Sequence, residues 1–279
     1  MERRILRQVK GYPTQDGAGV HLVRVLGGST AEDFDPILML DSFDSTNPAD
    51  YTAGFPMHPH RGIETISYVY QGAMTHRDSL GNEDTIQSGE VQWMTAGSGI
   101  LHEEKLPAAQ RLLGVQLWLN LPAKDKMAPP AYHSIKSGQI EEIPLEGGKL
   151  RLLAGEYEGR KGYGSRYLPL DYYDIHLQPG ASATIATDAE RSVMAFTLLG
   201  DAWIAGEHVT EKTAVKLTSG GIVSIRAADQ AAQVLFISSR RLGEPVAWGG
   251  PIVMNTRAEL DKAFDDLKKG TFLQQGIAY

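Results

Sequence analysis

Apolar and polar residues alternate with a period of two along most of this chain, in short runs punctuated by glycine, proline and asparagine. That pattern predicts strands rather than helices. Residues 19–27, GVHLVRVLG, alternate as a half-buried strand does. After the turn STAEDFDP, the run ILMLDSF is apolar enough for a strand buried on both faces. Residues 54–106 hold further short β segments, cut by turn signals at Gly72, at Ser79 to Asn82 and at Ser88-Gly89. In GVQLWLNLP (114–122), Val115, Leu117 and Leu119 share one face of a strand, while Gln116, Trp118 and Asn120 share the other. The second half continues in the same way through YYDIHLQPGASATIA, VMAFTLLGDAWIAGEHV and TAVKLTSGGIVSIRAADQAAQVLFISS. A strong helical period is confined to NTRAELDKAFDDLKKG. There Asn255 or Thr256 can cap, Glu259 completes a capping box with Thr256, and Gly270 stops the helix. Leu260, Ala263, Phe264 and Leu267 form its apolar stripe.

The two halves also align with each other. YVYQGAMTHRD (68–78) pairs with FTLLGDAWIAG (196–206), which sets Gly72 opposite Gly200 at an offset of 128. IQSGEVQWM pairs with LTSGGIVSI (217–225), which sets Val91 opposite Ile222 at an offset of 131. Such a repeat implies two diverged copies of one β unit. Many short strands with glycine-rich turns imply jelly-roll type barrels. AKDKMAPPAYHSIKS, proline-rich and polar, reads as the linker and puts the boundary between Pro122 and Ile140. The expectation is an N-terminal barrel over 1–130 and a C-terminal one over 131–279, ending in a helix that packs back on a β layer.

Composition acts mainly by exclusion. A chain of 279 residues, 42% hydrophobic and 22% charged, is ordinary for a globular protein with one or two cores. No apolar run approaches the roughly 18 residues of a membrane helix. The basic start MERRILRQVKGYPTQ lacks the apolar core of a secretory signal, so the cytoplasm is expected and a membrane partner is not. A net charge of −7 without a Lys/Arg cluster disfavours direct nucleic-acid binding. The absence of cysteine excludes disulfides and thiolate ligands.

The candidate chemistry lies in residues 54–106. His58 and His60 stand near its start, His102 and Glu104 near its end, each pair spaced i, i+2. On strands, that spacing puts both members of a pair on one face. Two adjacent antiparallel strands then aim three imidazoles and one carboxylate at a point, a donor set suited to Fe(II), Zn(II), Cu(II), Ni(II) or Mn(II). One His-x-His pair among eight histidines is easily an accident of composition. A second pair at the far end of a strand meander is harder to dismiss. Pro59 removes a backbone donor and points to a sheet edge. Gln116 is a candidate donor beside the metal, although a cross-strand hydrogen bond away from it explains a polar residue there equally well. The offsets carry the four ligand positions to Ala186, Asp188, Gln233 and Leu235, so the second copy is expected to lack ligands. His176 and His208 stand alone.

GFPMHPHRGIETISYVYQGAMTHRDSLGNEDTIQSGEVQWMTAGSGILHEE resembles the signature of the pirin family, and the likeness extends through DPILMLDSF, GVQLWLNLP and GGPIVMNTRAELDKAFDDLKKGTF. The resemblance implies an all-β fold of two cupin (jelly-roll type) barrels in tandem with a C-terminal helix. It carries the family's metal ligands onto His58, His60, His102 and Glu104, with Fe(II) the first expectation. Where the family often reads His-Ser-Glu, this chain reads His-Glu-Glu, but alternation turns Glu103 away from His102's face. The implied activity is opening of a flavonol ring with O2, as in quercetin 2,3-dioxygenases, with a small aromatic substrate and Glu104 as catalytic base. A carboxylate held against a divalent cation is a good ligand and a weak base, so the base role requires it to loosen. The alternative is an iron-binding, redox-responsive regulator that docks on a protein partner, either a transcription factor or a metabolic enzyme.

Overall fold

The computed structural model describes residues 1–274. The chain forms two compact units that interleave in sequence. One, here the C-terminal barrel, takes Met1–Tyr12, Arg24–Pro36 and Gly138–Arg241. The other, the N-terminal barrel, takes Pro13–Val23, Ile37–Ser137 and the chain from Leu242 onward.

Each unit is built from a seven-stranded and a four-stranded sheet in antiparallel register. In the N-terminal barrel the larger sheet runs, in spatial order, Ala131–Ile135, Glu90–Thr95, Ile63–Gln71, Leu112–Asn120, Ile37–Ser45, Val20–Leu26 and Tyr12–Asp16. The smaller runs Phe55–His60, Ile100–Lys105, Ala73–Asp78 and Glu83–Gln87. In the C-terminal barrel the larger sheet runs Ile5–Lys10, Thr213–Leu217, Ser192–Leu199, Ala232–Ser239, Leu170–Leu177, Gly148–Ala154 and Glu141–Leu145. Its smaller sheet runs Ser182–Ala186, Ile222–Ala227, Ala202–Ile204 and Glu207–Val209. The two orders match strand for strand, so the repeat is real and both units are cupin barrels.

The topology corrects part of the internal alignment. Gly72 and Gly200 do occupy the same turn, each with positive φ, between equivalent strand pairs. Val91 and Ile222 are not equivalent: Glu90–Thr95 corresponds to Thr213–Leu217, and Ile222–Ala227 takes the place of Ile100–Lys105. The positions answering to His102 and Glu104 therefore lie on Ile222–Ala227, not at Gln233 and Leu235, whose strand is the counterpart of Leu112–Asn120. A constant offset fails because loops differ in length between the copies.

The helix spans Arg257–Lys269 with Thr256 as N-cap, a complete capping box to Glu259 and Gly270 in the left-handed C-cap conformation. Its stripe, Leu260, Ala263, Phe264 and Leu267, packs with Ile252, Met254 and Phe272, so the surface it meets is the short hairpin Ala247–Gly249/Ile252–Met254. This C-terminal segment is clamped to the end of the His60 strand. Arg61 is buried and donates to Ser98 O (2.7 Å), Asp266 Oδ2 (2.8 Å) and Phe272 O (2.8 Å). Gly62, at φ +80°, lets the hairpin in: a Cβ there would sit 2.0 Å from Val253 O. Lys126 Nζ bridges Gly62 O and Val253 O at 2.7 and 2.9 Å. No helix among the described residues is long and apolar enough to cross a membrane.

Candidate metal centre

The Phe55–His60 strand is an edge of the smaller sheet, where Pro59's missing N–H costs no ladder bond. It pairs with Ile100–Lys105 in a register that sets His102 directly opposite His58. His58, His60 and His102 converge as a result, with one ring nitrogen from each lying within 4.8 Å of the others. His60 and His102 are buried, while His58 is half-buried.

Hydrogen bonds fix which nitrogen of each ring faces inward. His58 Nδ1 lies 2.8 Å from Pro56 O and His60 Nδ1 2.9 Å from Pro251 O. A carbonyl only accepts, so both Nδ1 atoms carry a proton, and in the ligating form of imidazole both Nε2 atoms offer a lone pair. Those two Nε2 atoms are 3.0 Å apart. Bare lone pairs at that distance repel, and a cation between them removes the conflict. His102 Nε2 is buried with no hydrogen-bond partner among the described residues. Burial, then the neighbouring His58, pushes the His60 imidazole down to about 3, against the Pro251 carbonyl. Burial, then His58, His60 and His76, holds His102 well below the ordinary range. Both rings are neutral at physiological pH, the state in which imidazole ligates. The cluster thus has the donor chemistry of a divalent-metal site.

Glu104 shares His102's buried face, and Glu103 turns outward toward Arg77 (3.6 Å) and Lys105 (3.9 Å). The Glu104 carboxylate is not one of the three tightly grouped donors. Gln92 Nε2 donates to its Oε1 at 2.5 Å, and Gln116 Nε2 donates to Oε1 and Oε2 at 3.0 and 2.9 Å. Gln116 also reaches Ser67 Oγ at 3.1 Å. Trp118, on Gln116's face, meets His60 edge-on with centroids 4.9 Å apart, and its Nε1 is buried without a partner among the described residues.

Sequence reasoning missed Gln92, His76 and Asp78. His76 and Asp78 carry the same i, i+2 spacing that singles out the ligand pairs, and on that rule they belong with them. Gln92 has no local signal, because what identifies it is the cross-strand pairing with Ser67. His176 and His208 each meet one aspartate, Asp174 at 2.8 Å and Asp201 at 3.3 Å.

Two cupin sheets per unit and, in one unit, a convergent histidine cluster define a bicupin protein whose N-terminal barrel carries the donor chemistry of a divalent-metal site. Comparison with known proteins gives the family. The pirin family model matches residues 19–119, and that of the pirin C-terminal cupin domain matches residues 172–273. A pirin-like protein of Caulobacter vibrioides is 42% identical over 274 residues, covering 97% of this chain and 99% of that one. Pirin-1 of Arabidopsis thaliana is 33% identical over 270 residues, covering 95% and 92%. The crystal structure of quercetin 2,3-dioxygenase from Acinetobacter baumannii superposes with a TM-score of 0.90 at 33% identity, covering 98% and 99%. The chain belongs to the pirin family.

Proposed function

We propose that the protein is a metal-dependent dioxygenase that opens a flavonol-type ring with O2, and that His58, His60, His102 and Glu104 hold its metal, Fe(II) in the first instance. The observation that carries this reading is the convergence of three imidazoles in the barrel that also holds a carboxylate braced by two glutamines. The likeness to a protein named quercetin 2,3-dioxygenase supports the substrate class. A divalent metal bound here supplies Lewis acidity toward a substrate hydroxyl and redox reach toward O2.

The side chains divide the remaining work. His58, half-buried, leaves one side of the cluster reachable from solvent. Glu104 would serve as a fourth ligand and as acceptor of the substrate hydroxyl's proton, with Gln92 and Gln116 orienting its two oxygens. Trp118 offers an aromatic edge and an unused indole N–H next to His60, which suits a planar substrate carrying a keto oxygen.

The test is anaerobic loading of the purified chain with Fe(II), Ni(II), Mn(II) or Zn(II), then ultraviolet spectra with a flavonol before and after admission of air. The loaded parent should bleach the flavonol band. Glu104→Gln should retain metal, since the amide oxygen still donates, and lose about 100-fold or more in turnover. Turnover of Glu104→Gln at the parent rate would remove the base role. No cleavage by any loaded form would overturn the dioxygenase reading in favour of a regulator with a protein partner.

A further inference from the structure

Behind the three histidines lies a row of polar side chains that the chemistry above does not use. His76, on the Ala73–Asp78 strand, is wholly buried. Its Nδ1 faces His102 Nδ1 at 3.4 Å, and its Nε2 lies 2.9 Å from Asp78 Oδ2. The Asp78 side chain is likewise shut off from solvent. Its Oδ1 accepts from the backbone N–H groups of Leu80 (2.8 Å) and Asn82 (3.1 Å), and Asn82 Nδ2 donates to both oxygens, at 3.2 and 2.9 Å. Tyr132 stacks flat on His76, with centroids 4.2 Å and planes 12° apart, and so holds the plane of that ring.

The proton positions follow link by link. Asp78 is surrounded by donors and can only accept, so the proton between it and His76 belongs to His76 Nε2. His102 Nε2 is buried with no acceptor among the described residues, so a proton there would be stranded, and the acceptor in the contact between the two Nδ1 atoms is His76. The contact between the two Nδ1 atoms is then attractive only if His102 carries its proton on Nδ1. His102 Nε2 is left bare, and it is the buried nitrogen without a partner. His58 and His60 reach the same state through backbone carbonyls, which accept by nature. A histidine in the carbonyl's place can donate or accept, and something must decide which. We propose that Asp78 and His76 form a positioning relay that fixes His102 as its Nδ1–H tautomer and so reserves His102 Nε2 for the metal.

The relay rests on the metal-centre reading, and the experiment separates failure of one from failure of the other. In the full-length, metal-free protein labelled with 15N-histidine, long-range 1H–15N spectra report the protonated nitrogen of each ring. His102 should be protonated on Nδ1 and His76 on Nε2. The opposite assignment for either ring overturns the relay, whatever the metal does. Zn(II) competition against a chelator supplies the second readout. His76→Leu, which removes the acceptor, should weaken binding about 10- to 100-fold, the usual effect of losing an outer hydrogen-bond partner. His76→Asn, whose Oδ1 can accept from His102 Nδ1–H, should recover most of that loss. Equal loss in both variants, or loss in neither, overturns the relay. A parent chain that binds no Zn(II) overturns the metal-centre reading instead, and the ring assignments identify that case.

Discussion

The two barrels share one strand order and fill it in opposite ways. In the C-terminal barrel, Ala183 and Ile185 on one strand and Val223, Ile225 and Ala227 on its neighbour point into a continuous aliphatic cluster with Leu150, Val215, Val234 and Phe236. In the N-terminal barrel the corresponding strands bring His58, His60, His102 and Glu104, and facing strands add Gln92, Gln116 and Ser67. It buries apolar side chains as well, among them a cluster of Val20, Leu22, Phe43, Tyr51, Val69, Met74, Ile86, Leu106 and Leu112. Each Val, Leu, Ile or Phe side chain buried in the first of these barrels contributes about 1.5–3 kcal/mol. Each polar group in the second costs free energy unless it finds a partner, and the network of glutamine, serine and carboxylate supplies those partners. A frame that can be filled with aliphatic side chains has, in one copy, been given over to polar chemistry.

The largest expected effect breaks that contrast at its centre. His58→Ala/His102→Ala removes two of the proposed donors and should abolish stoichiometric metal by elemental analysis, while circular dichroism still reports a folded β protein. The matching change in the other barrel, Ile225→Ala, should leave metal untouched and cost about 2–5 kcal/mol of stability through the cavity it opens, measured by denaturant unfolding. Full metal occupancy in the double variant, or metal loss in Ile225→Ala, would undo the division of labour between the barrels.

Much of this is legible in the amino-acid sequence, and for identifiable reasons. Strand alternation and the i, i+2 pairs are local signals, so the His58–His60 and His102–Glu104 faces could be read directly. Thr256, Glu259 and Gly270 announced the helix because capping is local too. What failed was non-local. The internal alignment slid by one strand after Gly200, because sequence offsets do not see sheet neighbours. The bracing of Glu104 by Gln92 depends on three strands meeting, and the relay through His76 depends on a register between Ala73–Asp78 and Ile100–Lys105 that no single segment specifies.

A second, smaller effect tests a buried acid in the N-terminal barrel that lies outside the histidine cluster. Glu64 is buried and accepts from Thr95 Oγ1 at 2.6 Å. Burial pushes its carboxyl up to about 7 from 4.5, against the hydrogen bonds from Thr95 and Trp93. The folded state therefore holds this proton over a range in which the unfolded chain has released it. Its contribution to stability is fully present below 4.5 and is lost as pH rises through 7. The loss amounts to about 3 kcal/mol between the two limits. Urea unfolding of Glu64→Gln across that range should lack this component of the slope. An unchanged slope would assign it to other groups.

The smallest expected effect is at Glu103, and it sharpens the assignment of faces. Pairing of Ile100–Lys105 with Phe55–His60 shifts register between His102 and Glu104, an irregularity that could swap which of the two glutamates faces inward. On its other side the same strand pairs without a break, His102 with Asp78, Glu103 with Arg77 and Glu104 with His76. The irregularity therefore belongs to the edge strand, and alternation across 102–104 survives. Glu103 is left with Arg77 and Lys105 at 3.6 and 3.9 Å in a partly solvated setting. Such pairs contribute about 0–1 kcal/mol. Glu103→Gln should change stability by no more than that and leave metal content and turnover at parent values, whereas Glu104→Gln should lose turnover. Equal damage from the two substitutions would mean that both carboxylates serve the metal, and that the His-Glu-Glu of this chain builds a different centre from the one its strand register describes.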